Sequence, residues 1–130
     1  FNLEPGYILD GAHNFEATRA LVSTLEELSI RPTYMIFGAL KNKPYDKMLE
    51  LLRPLVSRVI LVSPSIERAV DPSTYGIESD FIAKDSTEAI RIADENAEPN
   101  SKILVTGSLF TVAAVRGILL GEHSDPPIGL

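Results

Sequence analysis

Short apolar runs alternate with amphipathic stretches along the whole chain. Tyr7-Ile8-Leu9 is the first buried strand candidate. A helix over residues 14–28 follows, with Asn14 as its N-cap and Ala17, Leu21, Leu25 and Leu28 at helical spacing on one face. A second strand over 33–37 stops at Gly38. A second helix opens at Pro44, where a missing N–H costs nothing in the first turn, and carries the stripe Tyr45, Met48, Leu49, Leu52 and Leu55 until Pro54 ends or kinks it. Residues 59–62 are four consecutive apolar positions, the mark of a strand buried on both faces as in a parallel sheet. Residues 63–79 read as a loop broken by Pro64 and Pro72, with a single helical turn after Asp71. Phe81-Ile82-Ala83 is a short strand, and Asp85 with Glu88 forms a capping-box pattern for a helix through Ala97 whose inward positions are Ala89, Ile90, Ala93 and Ala97. A fifth strand over 102–105 ends at Thr106-Gly107. The last helix starts with Ser108 as N-cap and is apolar nearly all round, so it is expected to be the most buried.

Strands separated by helical patterns of ten to fifteen residues describe βαβ units. The expected fold class is therefore α/β: a Rossmann-like three-layer domain with a mainly parallel sheet of about five to six strands and helices on both faces. In such sheets ligands bind beyond the carboxyl ends of the strands. Residues 1–122 are expected to form the domain and 123–130, with Pro126, Pro127 and Gly129, a tail. The chain begins at Phe1 without an initiator Met or a leader pattern, and is expected to be cut from a longer polypeptide.

Composition narrows the classes. The 130 residues are 45% hydrophobic and 23% charged, which fits one globular core and excludes a disordered chain. Twelve Lys and Arg against eighteen Asp and Glu leave a net charge of −6, which argues against duplex nucleic acid or an anionic membrane as partner while leaving room for a local basic patch. The most apolar tract, residues 109–120, is too short to span a bilayer and is interrupted by Arg116. The absence of Cys removes disulfides, zinc ribbons and thiol catalysis, and suits a reducing, cytoplasmic setting.

The residues with chemistry cluster at three strand ends: Asp10-Gly11-Ala12-His13-Asn14, Gly38-Ala39-Leu40-Lys41-Asn42-Lys43, and Thr106-Gly107-Ser108. Neither a P-loop nor a dinucleotide fingerprint occurs among the glycines, so this domain does not build the usual phosphate cradle alone. Asp10 suits either two ribose hydroxyls or an Asx turn. His13 suits either a ligand anion or a backbone bond at a helix start. With Asp10 it makes only two candidate ligands, too few for a metal. Lys41 and Lys43 form a small cation pair after Gly38, which is either a phosphate grip or a solvated turn. Ser108 is a standard anion-binding position at a helix N-terminus and equally an ordinary N-cap. No Gly-x-Ser-x-Gly elbow accompanies it, which disfavours a serine hydrolase.

Taken together, four segments resemble one family. They are Ile8-Leu9-Asp10-Gly11-Ala12-His13-Asn14; Phe37 to Lys43 with Tyr45 and Met48-Leu49; Val59-Ile60-Leu61-Val62-Ser63-Pro64; and Ile103 to Phe110 with Val115-Arg116. In that order they are similar to the C-terminal domain of folylpolyglutamate synthase/dihydrofolate synthase, within the Mur ligase superfamily. The resemblance covers roughly residues 7–119. It departs from the family at Phe15, where Pro is usual, and at Asn42, where Asp is usual. It implies an ATP-dependent amide ligase that adds L-glutamate to folate or dihydropteroate through an acyl phosphate. The P-loop, the magnesium ligands and most folate contacts would lie in an N-terminal domain, and the isolated domain would be inactive. Carried over by motif, Asp10 would bind ATP, and His13, Ser108, Lys41 and Lys43 would orient glutamate or the reacting phosphate. Gly11, Asn14, Gly38 and Gly107 would set backbone geometry. Another Mur-type amino-acid ligase domain and a non-catalytic Rossmann-like binding module are the rival readings.

Overall fold

In a computed structural model of the chain, residues 2–4, 6–63 and 80–121 are described. Strand β1 (Asn2–Glu4) runs antiparallel to β2 (Tyr7–Leu9), which leads into helix α1 (Phe15–Glu27). Strand β3 (Tyr34–Phe37), helix α2 (Tyr45–Leu52), a 3₁₀ turn (Arg53–Leu55) and strand β4 (Arg58–Leu61) follow. Strand β5 (Phe81–Ile82), helix α3 (Ser86–Asn96), strand β6 (Ile103–Thr106) and helix α4 (Leu109–Leu119) complete the described elements. The strands form one sheet in the order β1-β2-β6-β3-β4-β5, parallel throughout except for β1. The expected loop over 63–79, with its helical turn after Asp71, and the expected tail over 123–130 lie outside the described residues, apart from Ser63.

The period of two along each strand sorts the core into two layers. Ile8, Met35, Phe37, Val59, Leu61 and Leu104 face Leu21 and Leu25 of α1 and Met48, Leu49 and Leu52 of α2. Leu9, Tyr34, Ile36, Ile60, Ile103 and Val105 face Ala89, Ile90 and Ala93 of α3 and Val115 of α4. Every residue of β2, β3 and β6 is buried, as the apolar runs require for parallel strands covered on both faces.

Helix ends follow the caps in the sequence. The Asn14 side chain accepts from the Ala17 amide at 2.8 Å, and Asp85 accepts from the Glu88 amide at 2.8 Å while Glu88 accepts from the Lys84 amide. Pro54 sits in the 3₁₀ turn that ends α2. Two expectations fail. Leu28 does not belong to the core face of α1, and is 55% exposed. The helix stops in a Schellman motif, with Ser29 N–H donating to Glu26 and Ile30 N–H to Leu25, and Ser29 at φ 56. The chain reverses there and Ile30 packs on the core in place of Leu28. Helix α4 is not the most buried: of its residues only Thr111 and Val115 are fully buried, while Leu109 is 63% and Phe110 44% exposed. It covers one face of the sheet beside α3.

Strand β6, last in sequence, lies between β2 and β3. The chain leaves β2 and β3 toward the α1/α2 layer and leaves β6 toward the α3/α4 layer. Neighbouring strands therefore send their following segments to opposite faces, and a crevice opens beyond their carboxyl ends.

Candidate functional site

The segments leaving β2, β3 and β6 are stitched together through backbone groups. Asp10 N–H donates to Val105 at 3.0 Å, Gly107 N–H to Ala12 at 3.2 Å, and Gly38 N–H to Thr106 at 3.3 Å. A buried bond of 2.8 Å from the Thr111 hydroxyl to the Gly38 carbonyl ties α4 to the β3 loop. Gly107 sits at φ +108, and a Cβ there would lie 2.6 Å from the Gly38 oxygen, so this crossing of two backbones admits only glycine. A Cβ on Gly11 would strike the Leu109 side chain. The three loops are thus packed backbone to backbone or backbone to side chain, and they hold their side chains in fixed relation.

Those side chains line one cleft of about 180 Å³, formed by His13, Leu40, Asn42, Lys43, Ser108, Leu109 and Phe110. The imidazole Nδ1 of His13 lies 3.0 Å from the Gly11 carbonyl. A carbonyl only accepts, so Nδ1 carries the proton and Nε2 is left for another partner. Ser108 is buried, and its Oγ accepts from the Phe110 amide at 3.0 Å as the N-cap of α4, leaving its O–H available to donate. The positive end of the α4 dipole and the Lys43 ammonium both favour an anion here. Leu40, Leu109 and Phe110 supply an apolar wall. A small molecule carrying a carboxylate or phosphate on a short aliphatic frame matches this lining.

The structure divides the expected site residues. His13, Lys43 and Ser108 meet in the cleft. Lys41 is exposed on the turn before Lys43 and does not line it. Asp10 is half-buried at the tip of β2, where its Oδ1 accepts from the Ala12 amide at 2.9 Å in an Asx turn that sets the loop carrying His13. Asn14 is exposed and caps α1, and Gly11, Gly38 and Gly107 make the close backbone approaches. Sequence reasoning missed Leu109 and Phe110 as lining, because apolar residues at a helix start were read as core, and it named Leu40 only as part of the loop after the second strand. It noted Asn42 only as a departure from the family pattern, although this side chain lines the cleft. Thr111 gave no signal beyond being the one hydroxyl in an apolar helix. The Thr106 hydroxyl is buried without a hydrogen-bond partner among the described residues.

Magnesium takes oxygen ligands, above all carboxylates. The cleft carries an ammonium and no carboxylate, and the described residues contain no group of three or more His, Asp or Glu placed to hold a metal ion. The donor set does not suit the ion. Among the described residues no helix is long and apolar enough to cross a membrane.

Known proteins share this architecture. The chain is 36% identical over 92% of its length to the folylpolyglutamate synthase of Lacticaseibacillus casei, of which it spans 28%. A crystal structure of bifunctional folylpolyglutamate synthase/dihydrofolate synthase from Yersinia pestis, complexed with AMPPNP and Mn, superposes with a TM-score of 0.77 at 27% identity, over 88% of this chain and 28% of that one. A structure of a protein of the same name with Mn, AMPPNP and L-glutamate bound gives a TM-score of 0.78 at 28% identity, over 88% of this chain and 29% of that one. The chain therefore spans under a third of the proteins it matches. The sequence signature of the Mur ligase, glutamate ligase domain, runs through residues 3–109, from β1 into the first turn of α4. With the signature running through most of the chain and a relative 36% identical over 92% of it, this chain belongs to the Mur ligase family as a glutamate ligase domain.

Proposed function

We propose that this chain is the amino-acid-accepting domain of an ATP-dependent ligase that joins L-glutamate to a folate or to dihydropteroate, acting with a nucleotide-binding domain elsewhere in the same polypeptide. The carrying observation is the cleft at the carboxyl ends of β2, β3 and β6, where Lys43, Ser108, His13 and the α4 N-terminus converge. Its volume and mixed lining suit a small dicarboxylic amino acid, and one structure of this fold carries Mn, AMPPNP and L-glutamate.

In the reaction, ATP phosphorylates the acceptor carboxyl, the glutamate amine attacks the acyl phosphate, and phosphate leaves. The work of this chain is to position and neutralise. Lys43 and the first-turn amides of α4 hold carboxylate or phosphate oxygens, and the Ser108 hydroxyl donates to one of them. His13, with Nδ1 committed to Gly11, offers Nε2 to take the proton from the glutamate ammonium, so that the free amine attacks, or to donate to an anion when protonated. Asp10 orients the His13 loop through the Ala12 amide and, as the family resemblance implies, contributes to binding ATP. Lys41 adds only long-range positive charge. Leu109 and Phe110 exclude water once a second domain closes over them. Magnesium, when bound with ATP, neutralises phosphate charge and is held by residues outside this chain. The same reading places the enzyme in the cytoplasm.

Steady-state kinetics on the whole enzyme test the assignment. His13→Ala and Ser108→Ala should raise the KM for glutamate, and Asp10→Ala should raise the KM for ATP. The 130-residue chain alone should turn over neither ATP nor folate. Wild-type constants in all three variants, or robust turnover by the chain alone, would overturn the reading.

A further inference from the structure

The two walls of the cleft come from segments far apart in sequence. One wall is the loop 38–43 with Leu40, Asn42 and Lys43, and the other is the first turn of α4 with Ser108, Leu109 and Phe110. A buried side-chain hydrogen bond connects them directly. Thr111 is fully buried in a helix whose other residues are almost all apolar, and its hydroxyl donates to the Gly38 carbonyl at 2.8 Å, across 73 positions of sequence.

A threonine inside a helix ordinarily returns its hydroxyl to the carbonyl four residues back. Thr18 does so to Asn14, and Thr24 to Ala20. Thr111 instead satisfies a carbonyl on another strand end. Gly38 also donates its N–H to the Thr106 carbonyl and lies against Gly107, so the residue is held on three sides at the point where the β3 loop begins.

Resting on the reading that this cleft seats the incoming amino acid, we propose that Thr111 is a positioning residue: through the Gly38 carbonyl its hydroxyl sets the distance of Lys43 and Asn42 from Ser108, and so the shape of the subsite before the ligand arrives. Thr111 itself does not line the cleft. Removing its hydroxyl leaves a buried carbonyl without its donor. The β3 loop then shifts toward another partner and the preorganised geometry is lost.

The test uses the whole enzyme with Thr111→Val, which keeps the shape and removes the donor, and Thr111→Ser, which keeps the donor. A merely structural role lowers the folded fraction, which reduces apparent kcat and leaves KM where it was. A positioning role raises KM for the amino acid. We expect Thr111→Val to lower kcat/KM for glutamate about tenfold, mainly through KM, and Thr111→Ser to stay within about twofold of wild type. Hydrogen exchange supplies a readout without turnover: amides 38–43 should exchange faster in Thr111→Val than in Thr111→Ser, relative to the rest of the sheet. If Thr111→Val does not fold, Thr111→Ser and Thr111→Ala, which differ only in the hydroxyl, make the same comparison.

Unchanged local exchange overturns the proposal whatever the activity. Faster local exchange with an unaltered KM for every substrate overturns it as well. Faster exchange with a raised KM for ATP rather than glutamate supports the positioning role and refutes the amino-acid assignment of the cleft. A wild-type enzyme that ligates no glutamate refutes the proposed function, and the exchange measurement then decides the role of Thr111 by itself.

Discussion

Gly107→Ala is the sharpest single perturbation of this domain. Two costs combine. The residue sits at φ +108, a conformation that an L side chain adopts at a cost of about 1–3 kcal/mol. The new Cβ would lie 2.6 Å from the Gly38 oxygen and 3.0 Å from its carbon, and relieving that contact moves backbone rather than a side chain. Forcing atoms into packed space costs about 1–3 kcal/mol. A total near 3 kcal/mol is a large share of the roughly 5–15 kcal/mol that holds a domain together. Gly11→Ala is the internal control. Its Cβ meets Leu109, whose 63% exposure lets the side chain swing into solvent, and no positive φ is involved. That change should cost under about 1 kcal/mol, as overpacking does where the neighbour can yield. Urea unfolding followed by far-ultraviolet circular dichroism separates them. With a slope of about 1.5 kcal/mol per molar, Gly107→Ala should lower the midpoint by about 2 M, and Gly11→Ala by less than about 0.7 M. Equal midpoint shifts in the two variants would refute the argument from the Gly107–Gly38 crossing.

Three further outcomes follow from other parts of the fold. Ser29→Gly should stabilise the protein by about 1 kcal/mol, because the Schellman position at φ 56 favours glycine, and a lower melting temperature would contradict this. Burial first, then the hydrogen bond to Asp94 at 2.8 Å and the charge of that carboxylate, push the Tyr7 phenol well above its ordinary value. The folded state therefore keeps the phenol proton more tightly than the unfolded chain does. Its contribution is complete below about pH 10 and is lost as pH rises beyond that, so Tyr7→Phe should flatten the fall in stability expected above about pH 10. Burial raises the Asp80 carboxyl, but the Val59 amide, Arg58 and Arg53 outweigh it and hold its pKa below the ordinary carboxylate value. That contribution is present above about pH 4 and is lost as pH falls through the lowered pKa, so Asp80→Asn should make the acid limb of the stability profile shallower; an unaltered limb would count against it.

Much of the fold was legible because local rules and burial pointed the same way. The runs expected as strands at 7–9, 33–37, 59–62 and 102–105 lie within a residue of the observed ones, because only a covered parallel sheet buries every successive side chain. Asn14, Asp85 and Ser108 cap the helices that they were expected to cap, since each offers a side-chain oxygen to an amide two or three residues on. Strand β1 was missed because three residues at a sheet edge carry too short a pattern to read. Leu28 was misplaced because helical spacing was extrapolated past a helix end that only the Ser29 turn reveals.

The site was legible as three loops but not as one cleft. Which side chains meet depends on where β6 inserts, between β2 and β3, and this is a tertiary choice that no local pattern states. That choice brings His13, Lys43 and Ser108 together and leaves Lys41 in solvent two residues from Lys43. It also turns Leu109 and Phe110 from expected core into the cleft wall, because an apolar side chain is buried only where another element arrives to cover it. The amino-acid sequence by itself determined the parallel strands, the caps, the glycines and the chemistry available at the strand ends, all of which act over a few residues. Only the tertiary structure decided the Thr111–Gly38 tie, the Gly107–Gly38 crossing and the membership of the cleft, because these join atoms that lie some seventy positions apart and have no energy until the sheet is assembled.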